Sequence, residues 1–169
     1  MKRPVAYVVA LALLCACAGP SHARWKESSQ VLNLKEQPLS ITEFKYTVRA
    51  RESTEDNFSV SYKFLNTTDK PILAAEFRIL FFDIFDRPLD NLSLYMVEKT
   101  LSAKTEDKGV AVFGISNFFL VYKAIAYVSR VRFEDGTIWE SDYKEVANSL
   151  QAMVTGALDR VFIEGSKKR

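Results

Sequence analysis

Two segments of this chain alternate apolar and polar side chains with a period of two, and that pattern dictates what the chain can fold into. In "FKYTVRAR" Phe44, Tyr46, Val48 and Ala50 alternate with Lys45, Thr47, Arg49 and Arg51. In "FSVSYKFL" Phe58, Val60, Tyr62 and Phe64 alternate with Ser59, Ser61 and Lys63. Successive side chains of a strand point to opposite faces, so each segment reads as a strand with one face on a core and the other in water. The charged "ESTEDN" between them is turn material.

The same grammar continues along the chain. "NTTDKP" (Asn66 to Pro71) is a turn rich in residues that bond their own backbone, and it opens into "ILAAEFRILFFDIFD". There Phe77, Ile79 and Phe81 share a face opposite Glu76 and Arg78, while Leu80, Phe82 and Ile84 make the second face apolar too. A strand of that kind is central or has its outer face covered. "LSLYMVEKT", "VAVF" and "AIAYVSRVRF" read as further strands, and "SNFFLVYK" fits strand and helix equally. In "RFEDGTIW" Asp135-Gly136 is a hairpin signal; a two-residue loop sets Phe133 opposite Ile138 and Arg132 opposite Trp139. Seven short strands separated by turns predict a mostly β, immunoglobulin-like antiparallel sandwich.

The ends differ from the middle. Asp142 and Glu145 form a capping pair, after which Val146, Leu150, Met153, Ala157, Leu158 and Val161 recur at helical spacing up to Gly165. This predicts one C-terminal amphipathic helix over 142–164, followed by a basic tail at 165–169. Its apolar stripe either docks on Leu80, Phe82 and Ile84 or serves as a partner-binding or membrane-surface helix, the last disfavoured by its mixed charges. Residues 24–40 are polar and end near Pro38, which predicts a tether with a short strand near Val31 to Leu34, leading into a sandwich over 41–141.

Residues 1–23 have the parts of a secretory signal peptide: Lys2 and Arg3, an apolar run from Val5 to Leu14, and small residues towards Ala23. The run falls short of the roughly 20 residues that span a bilayer. Two exits fit. Cleavage after Ala23 gives an Arg24 terminus. Alternatively, Leu14-Cys15-Ala16-Cys17 resembles a lipobox, with Cys17 close behind the apolar run as the lipidated residue and the lipid as membrane anchor.

Either exit changes the chemistry available. The chain has two cysteines and one histidine, and Cys15, Cys17 and His22 all lie in the leader. Without them, zinc sites built on Cys and His are excluded, as are Ser-His-Asp and Cys-His catalysis. Cleavage after Ala23 takes 23 of 169 residues and leaves 146, one domain in size. Of 23 basic residues only Lys2 and Arg3 are lost, leaving 21 against 21 acidic ones. Bulk electrostatics therefore gives no attraction to nucleic acid or to an anionic membrane.

Three constellations could carry chemistry. Asp83, Asp86 and Asp90 gather around one turn as a metal candidate, and Glu134 with Asp135 forms a second acidic tip. Calcium takes about 6–8 oxygen ligands, so aspartates bonding their own backbone is the competing reading. Trp139 and Arg132 form a candidate recognition surface, against a simple cation–π pair shielding a sheet face. "SDYK" (Ser141 to Lys144) matches a Ser-x-x-Lys motif, but its partner motifs are absent and it reads better as a helix start. No catalytic residue and no cofactor are assigned.

"FLNTTDKPI", "ILFFDIFDRPL" and "VSRVRFEDGTIWE" together resemble the FxLYD-type, immunoglobulin-like domains of bacterial envelope proteins. The similarity runs from about Phe44 to Glu140. Ile79 stands where the family's Phe falls, Phe82 replaces its Tyr, Asp86 takes the place of a common Gly, and the helix is extra. The resemblance implies a non-enzymatic exported domain. With the leader, the expectation is a protein in the periplasm or lipid-anchored to the outer membrane, whose sandwich binds or positions another envelope component, an envelope protein partner. The alternative is a carboxylate-based cell-wall hydrolase, which needs two carboxyls roughly 5–9.5 Å apart in a cleft.

Overall fold

Turn chemistry and strand alternation divide the chain into eight strands and two short helices in a computed structural model that describes residues 28–49, 57–96, 100–114 and 121–164. The strands are β1 (Ser28–Leu32), β2 (Leu39–Arg49), β3 (Asn57–Asn66), β4 (Ile72–Phe82), β5 (Pro88–Met96), β6 (Glu106–Gly114), β7 (Lys123–Phe133) and β8 (Ile138–Glu140). The helices are α1 (Tyr143–Gln151) and α2 (Arg160–Glu164). The expected leader, Cys17, the basic tail and residues 115–120 of "SNFFLVYK" lie outside the described residues.

One sheet has the order β1-β7-β4-β5, with β8 also on β7; the other has the order β2-β3-β6. The chain passes between the sheets after β1, after β3, after β5 and after β6, giving a mostly β sandwich of immunoglobulin-like type. Its core is aromatic. Phe58 of β3 meets Phe81 of β4 edge-on at 5.1 Å, and Tyr62 and Phe64 both lie against Phe77 at 5.6 and 5.5 Å. Tyr62 also lies across Gly109 of β6, where any Cβ would strike its ring, so the glycine makes room for the tyrosine.

Asn66 is the keystone of the "NTTDKP" turn. Its fully buried amide donates to the carbonyls of Lys70 and Ser102, and its oxygen accepts from the N–H of Thr68. A buried amide is tolerated because those bonds satisfy it.

β7 carries a bulge at Ser129. Its neighbours on β4 shift register between Glu76 and Phe77, and Ser129 Oγ donates to the Glu76 carbonyl at 3.1 Å. Ala124, Ala126 and Val128 face the core before the bulge, and Val131 and Phe133 face it afterwards. Strict alternation would have turned Arg130 and Arg132 inward. One extra residue reverses the phase and leaves both arginines in water.

Four expectations need correction. First, residues 28–40 are not a tether. β1 pairs in parallel with β7 from Ser28↔Lys123 to Leu32↔Tyr127, and Leu32, Leu34 and Leu39 are buried. Only Leu32 of "SSQVL" is buried, so backbone pairing builds this strand and leaves no period to read. Second, that pair makes the sandwich not wholly antiparallel.

Third, the hairpin loop has three residues. Phe133 N–H donates to Thr137 O, and Gly136, at φ +86°, closes the turn on Phe133 O. This is the type I turn with a left-handed glycine, and it sets Arg132 opposite Ile138 and Val131 opposite Trp139. Fourth, the helix is broken. α1 stops at Gln151 and α2 starts at Arg160, with Asp159 Oδ1 accepting from Phe162 N–H.

The two helices cover the outer face of β4 and β7. Val146, Leu150, Val154, Phe162 and Ile163 pack with Leu32, Leu34, Leu80, Phe82, Ile125 and Tyr127 in a second apolar cluster. Phe82 and Phe162 meet edge-on at 5.3 Å. Docking on Leu80 and Phe82 is as expected; Ile84 stays outside the cluster, and Val161 is exposed.

Candidate functional site

The end of the sandwich where β4 turns into β5 brings together the residues with most chemistry. Asp83 organises the turn. Its Oδ1 accepts from the N–H groups of Phe85 and Arg87 at 2.8 and 2.9 Å, and its Oδ2 from Arg87 Nε at 2.6 Å. Burial acts to raise this carboxyl, but those bonds outweigh it and hold Asp83 below the usual carboxylate range.

Asp86 sits at φ +58° and faces the helices. Its Oδ1 accepts from Lys123 Nζ at 2.5 Å, and its Oδ2 accepts from the N–H and Oγ1 of Thr155, each at 3.2 Å. Lys123 Nζ also donates to the Met153 carbonyl at 3.1 Å. Gly156 follows, its Cα so close to the Asp86 carbonyl that no side chain fits. Burial pushes the Asp86 carboxyl up, while Lys123 and Thr155 pull it down further, leaving it lowered. This arrangement latches the α1–α2 connection to the hairpin, which is why one apolar stripe becomes two helices.

Of the two readings of Asp83, Asp86 and Asp90, the hydrogen bonds favour turn chemistry over a metal site. Asp83 and Asp86 spend their oxygens on N–H and ammonium donors and face different neighbours, while Asp90 Oδ1 accepts from the adjacent Asn91 N–H. Among the described residues, no three His, Cys, Asp or Glu side chains gather closely enough to hold a metal ion. At the other acidic tip, Asp135 is likewise engaged by Lys70 and Thr137.

Trp139 and Arg132 are not brought together. Trp139 is half-buried and packs against both apolar clusters. Arg132, exposed, stands opposite Ile138 on the other side of the hairpin. "SDYK" is a helix start: Asp142 Oδ1 caps α1 by accepting from Glu145 N–H at 3.0 Å.

Sequence reasoning missed the apolar tip of the β4–β5 hairpin. Ile84 and Phe85 lie between the two turn aspartates, with Phe85 71% exposed and the Arg87 guanidinium over its ring at 5.3 Å. The available signal was an apolar pair framed by Asp83 and Asp86, since a turn cannot place both residues in a core.

On the other sheet a shallow groove of about 350 Å³ is lined by Glu43, Ser61, Lys63, Lys108 and Val110, with Tyr62 and Gly109 beneath. Glu43, its one carboxylate, is held by Lys45 and Lys63 at 2.6 and 2.9 Å. Hydrogen bonds from those two ammonium groups bring its carboxyl down to about 2. So low a carboxyl is a fixed anion rather than a proton donor near neutral pH. Val110 and Val112 stand exposed beside it on β6.

Among the described residues, no helix is long and apolar enough to cross a membrane. No family model matches the chain, and no curated protein does. Solved structures are similar to it to different degrees. A hypothetical protein from Peptoclostridium difficile 630 aligns over 80% of this chain and all of its own, with a TM-score of 0.52 and 12% identity. A target of the Northeast Structural Genomics Consortium aligns over 62% of this chain and 80% of its own, with a TM-score of 0.44 and 13% identity. A DUF1425 family member from Shewanella sp. pv-4 aligns over 53% of this chain and 73% of its own, with a TM-score of 0.34 and 14% identity. At such identities the first likeness shows a shared β-rich architecture and nothing of activity.

Proposed function

We propose that this chain is an exported envelope protein, anchored by acyl chains on Cys17, whose FxLYD-like sandwich is a non-enzymatic module that binds or positions another envelope component. The observation that carries this reading is the placement of the reactive residues. Cys15, Cys17 and His22 stand within a leader-like segment, and the first strand begins at Ser28. The working domain is left with aspartates and glutamates that are largely committed to turns, caps and ion pairs.

The α1 stripe is spent on Leu80, Phe82 and Ile125, which turns attention to the other sheet for a partner. Among the described residues β6 pairs only with β3, which leaves its second edge without a strand among them, beside exposed Val110 and Val112. An exposed strand edge is a template for an extended segment of another protein. The test is mass spectrometry of the native protein together with a pull-down from solubilised envelope. A diacylglyceryl Cys17 terminus and a partner lost in Val110→Glu support the reading. An unmodified Arg24 terminus overturns the anchor, and unchanged recovery with V110E overturns the β6 surface.

A further inference from the structure

The β4–β5 hairpin tip presents three large apolar side chains within six residues: Ile84 at 39% exposure, Phe85 at 71% and Leu89 at 40%. Singly exposed apolar residues are ordinary; three at one hairpin end are not. The turn does not fold back to hide them. Asp83 N–H donates to Arg87 O and Asp86 N–H to Asp83 O, each at 3.1 Å, and the carboxylates of Asp83 and Asp86 lock both sides of the tip.

The chain enters the sandwich at this same end. Ser28 N–H donates to Tyr122 O and Tyr122 N–H to Phe82 O, each at 2.9 Å. Ser28, Lys123 and Phe82 thus stand side by side across three strands, one residue from the start of the turn. Ser28 is eleven residues on from Cys17, a reach of roughly 40 Å at full extension. A sandwich held through Cys17 is therefore held by the end that carries Ile84 and Phe85.

We infer that this tip is a membrane-contact surface, seating the anchored sandwich with Ile84, Phe85 and Leu89 in the lipid interface. The inference rests on the anchoring reading above. Charges are mostly neutralised within the tip, with Asp90 beyond Leu89 exposed to water. The carboxylates of the turn are internally matched, Asp83 with Arg87 and Asp86 with Lys123, and the Arg87 side chain is itself 71% exposed. Phe85 beneath the Arg87 guanidinium combines an apolar body with a cationic head, the composition that interfaces favour. A protein partner is a poorer fit, because a stable interface needs about 800 Å² from each side and three side chains on one turn cannot supply it.

The test uses the full-length gene product extracted from membranes, with Phe85→Cys or Val110→Cys as the only labelled position. Neither expected terminus leaves a free thiol, so a nitroxide label reports one site. The protein is placed in vesicles of phosphatidylethanolamine and phosphatidylglycerol, and label collisions with oxygen and with a water-soluble nickel chelate are compared. The inference expects a several-fold higher oxygen-to-nickel ratio at position 85 than at position 110, which is equally exposed but on the other sheet. Equal ratios in a chain shown by mass spectrometry to be acylated overturn the inference alone. A change at position 85 in native membrane fragments but not in lipid vesicles assigns the tip to a protein and overturns the lipid assignment. An unacylated Arg24 terminus overturns the anchoring reading and this inference with it.

Discussion

The phenol of Tyr127 donates a hydrogen bond to the carbonyl oxygen of Ile163 at 2.8 Å, fastening the last helix to the middle of β7. Burial holds that phenol above its ordinary value. Tyr127→Phe is expected to cost about 1–3 kcal/mol, because the Ile163 carbonyl loses its donor inside the protein. The cost depends on pH. The unfolded phenol ionises near pH 10 while the folded one stays neutral, so this contribution is complete below about pH 10 and declines as pH rises further. Urea unfolding of wild type and Y127F should therefore show a gap that narrows above about pH 10; a widening gap contradicts the assignment.

Leu150 is fully buried under α1. Leu150→Ala should cost about 2–5 kcal/mol, the range for deleting a buried leucine, whereas Lys144→Ala, on an exposed position, should stay within about 0.5 kcal/mol. Hydrogen exchange should locate the damage: faster exchange across 143–164 with β3 unaltered is expected, and uniform acceleration through both sheets is not.

The Asp86 latch should fail in acid. Its carboxyl is lowered in the folded state, so its contribution is present above the unfolded value, about pH 4, and is lost as pH falls through and below it. Asp86→Asn should cost about 1.5–3 kcal/mol at neutral pH, the worth of a charge-assisted bond, and should flatten the acid limb of a stability–pH curve. Gly156→Ala should reproduce the loss of helix docking with no charge removed, because its Cβ meets the Asp86 carbonyl; overpacking of this kind costs about 1–3 kcal/mol.

The hairpin gives the simplest case. Gly136 stands at φ +86° with nothing within 4 Å of an added Cβ. Gly136→Ala should cost about 1–2 kcal/mol through backbone conformation alone, and Gly136→Asn less, since asparagine tolerates this region better. Equal melting points for the two variants would contradict the left-handed three-residue loop.

Much of the sandwich was legible because each strand has one dry face, and a period of two is the direct imprint of that. β4 announced both its faces, Phe77 to Phe81 for the core and Leu80 with Phe82 for the helices. β1 left no such imprint, since its position is fixed by pairing to β7 rather than by buried side chains. The bulge at Ser129 was readable in principle from the odd spacing of Val128 and Val131. The helix break was not: apolar residues continued at helical spacing through 152–159, and the interruption is caused by Asp86, some 70 positions away in sequence. Of the candidate sites, the aspartates were found as a group and weighed between metal ligands and turn residues, because sequence shows carboxylates but not the N–H groups aimed at them.

The parallel pairing of β1 with β7 sets the order in which this molecule can be completed. The first strand to be synthesised finds its partner only when Lys123 to Tyr127 have emerged, so no early hairpin can protect it. Pairings so distant in sequence are slow to form. A chain crossing a membrane N-terminus first would thus carry β1 unsatisfied until about three-quarters of its length had followed. Closure of that one edge would then mark the moment at which both sheets could close, with only β8 and the two covering helices still to come.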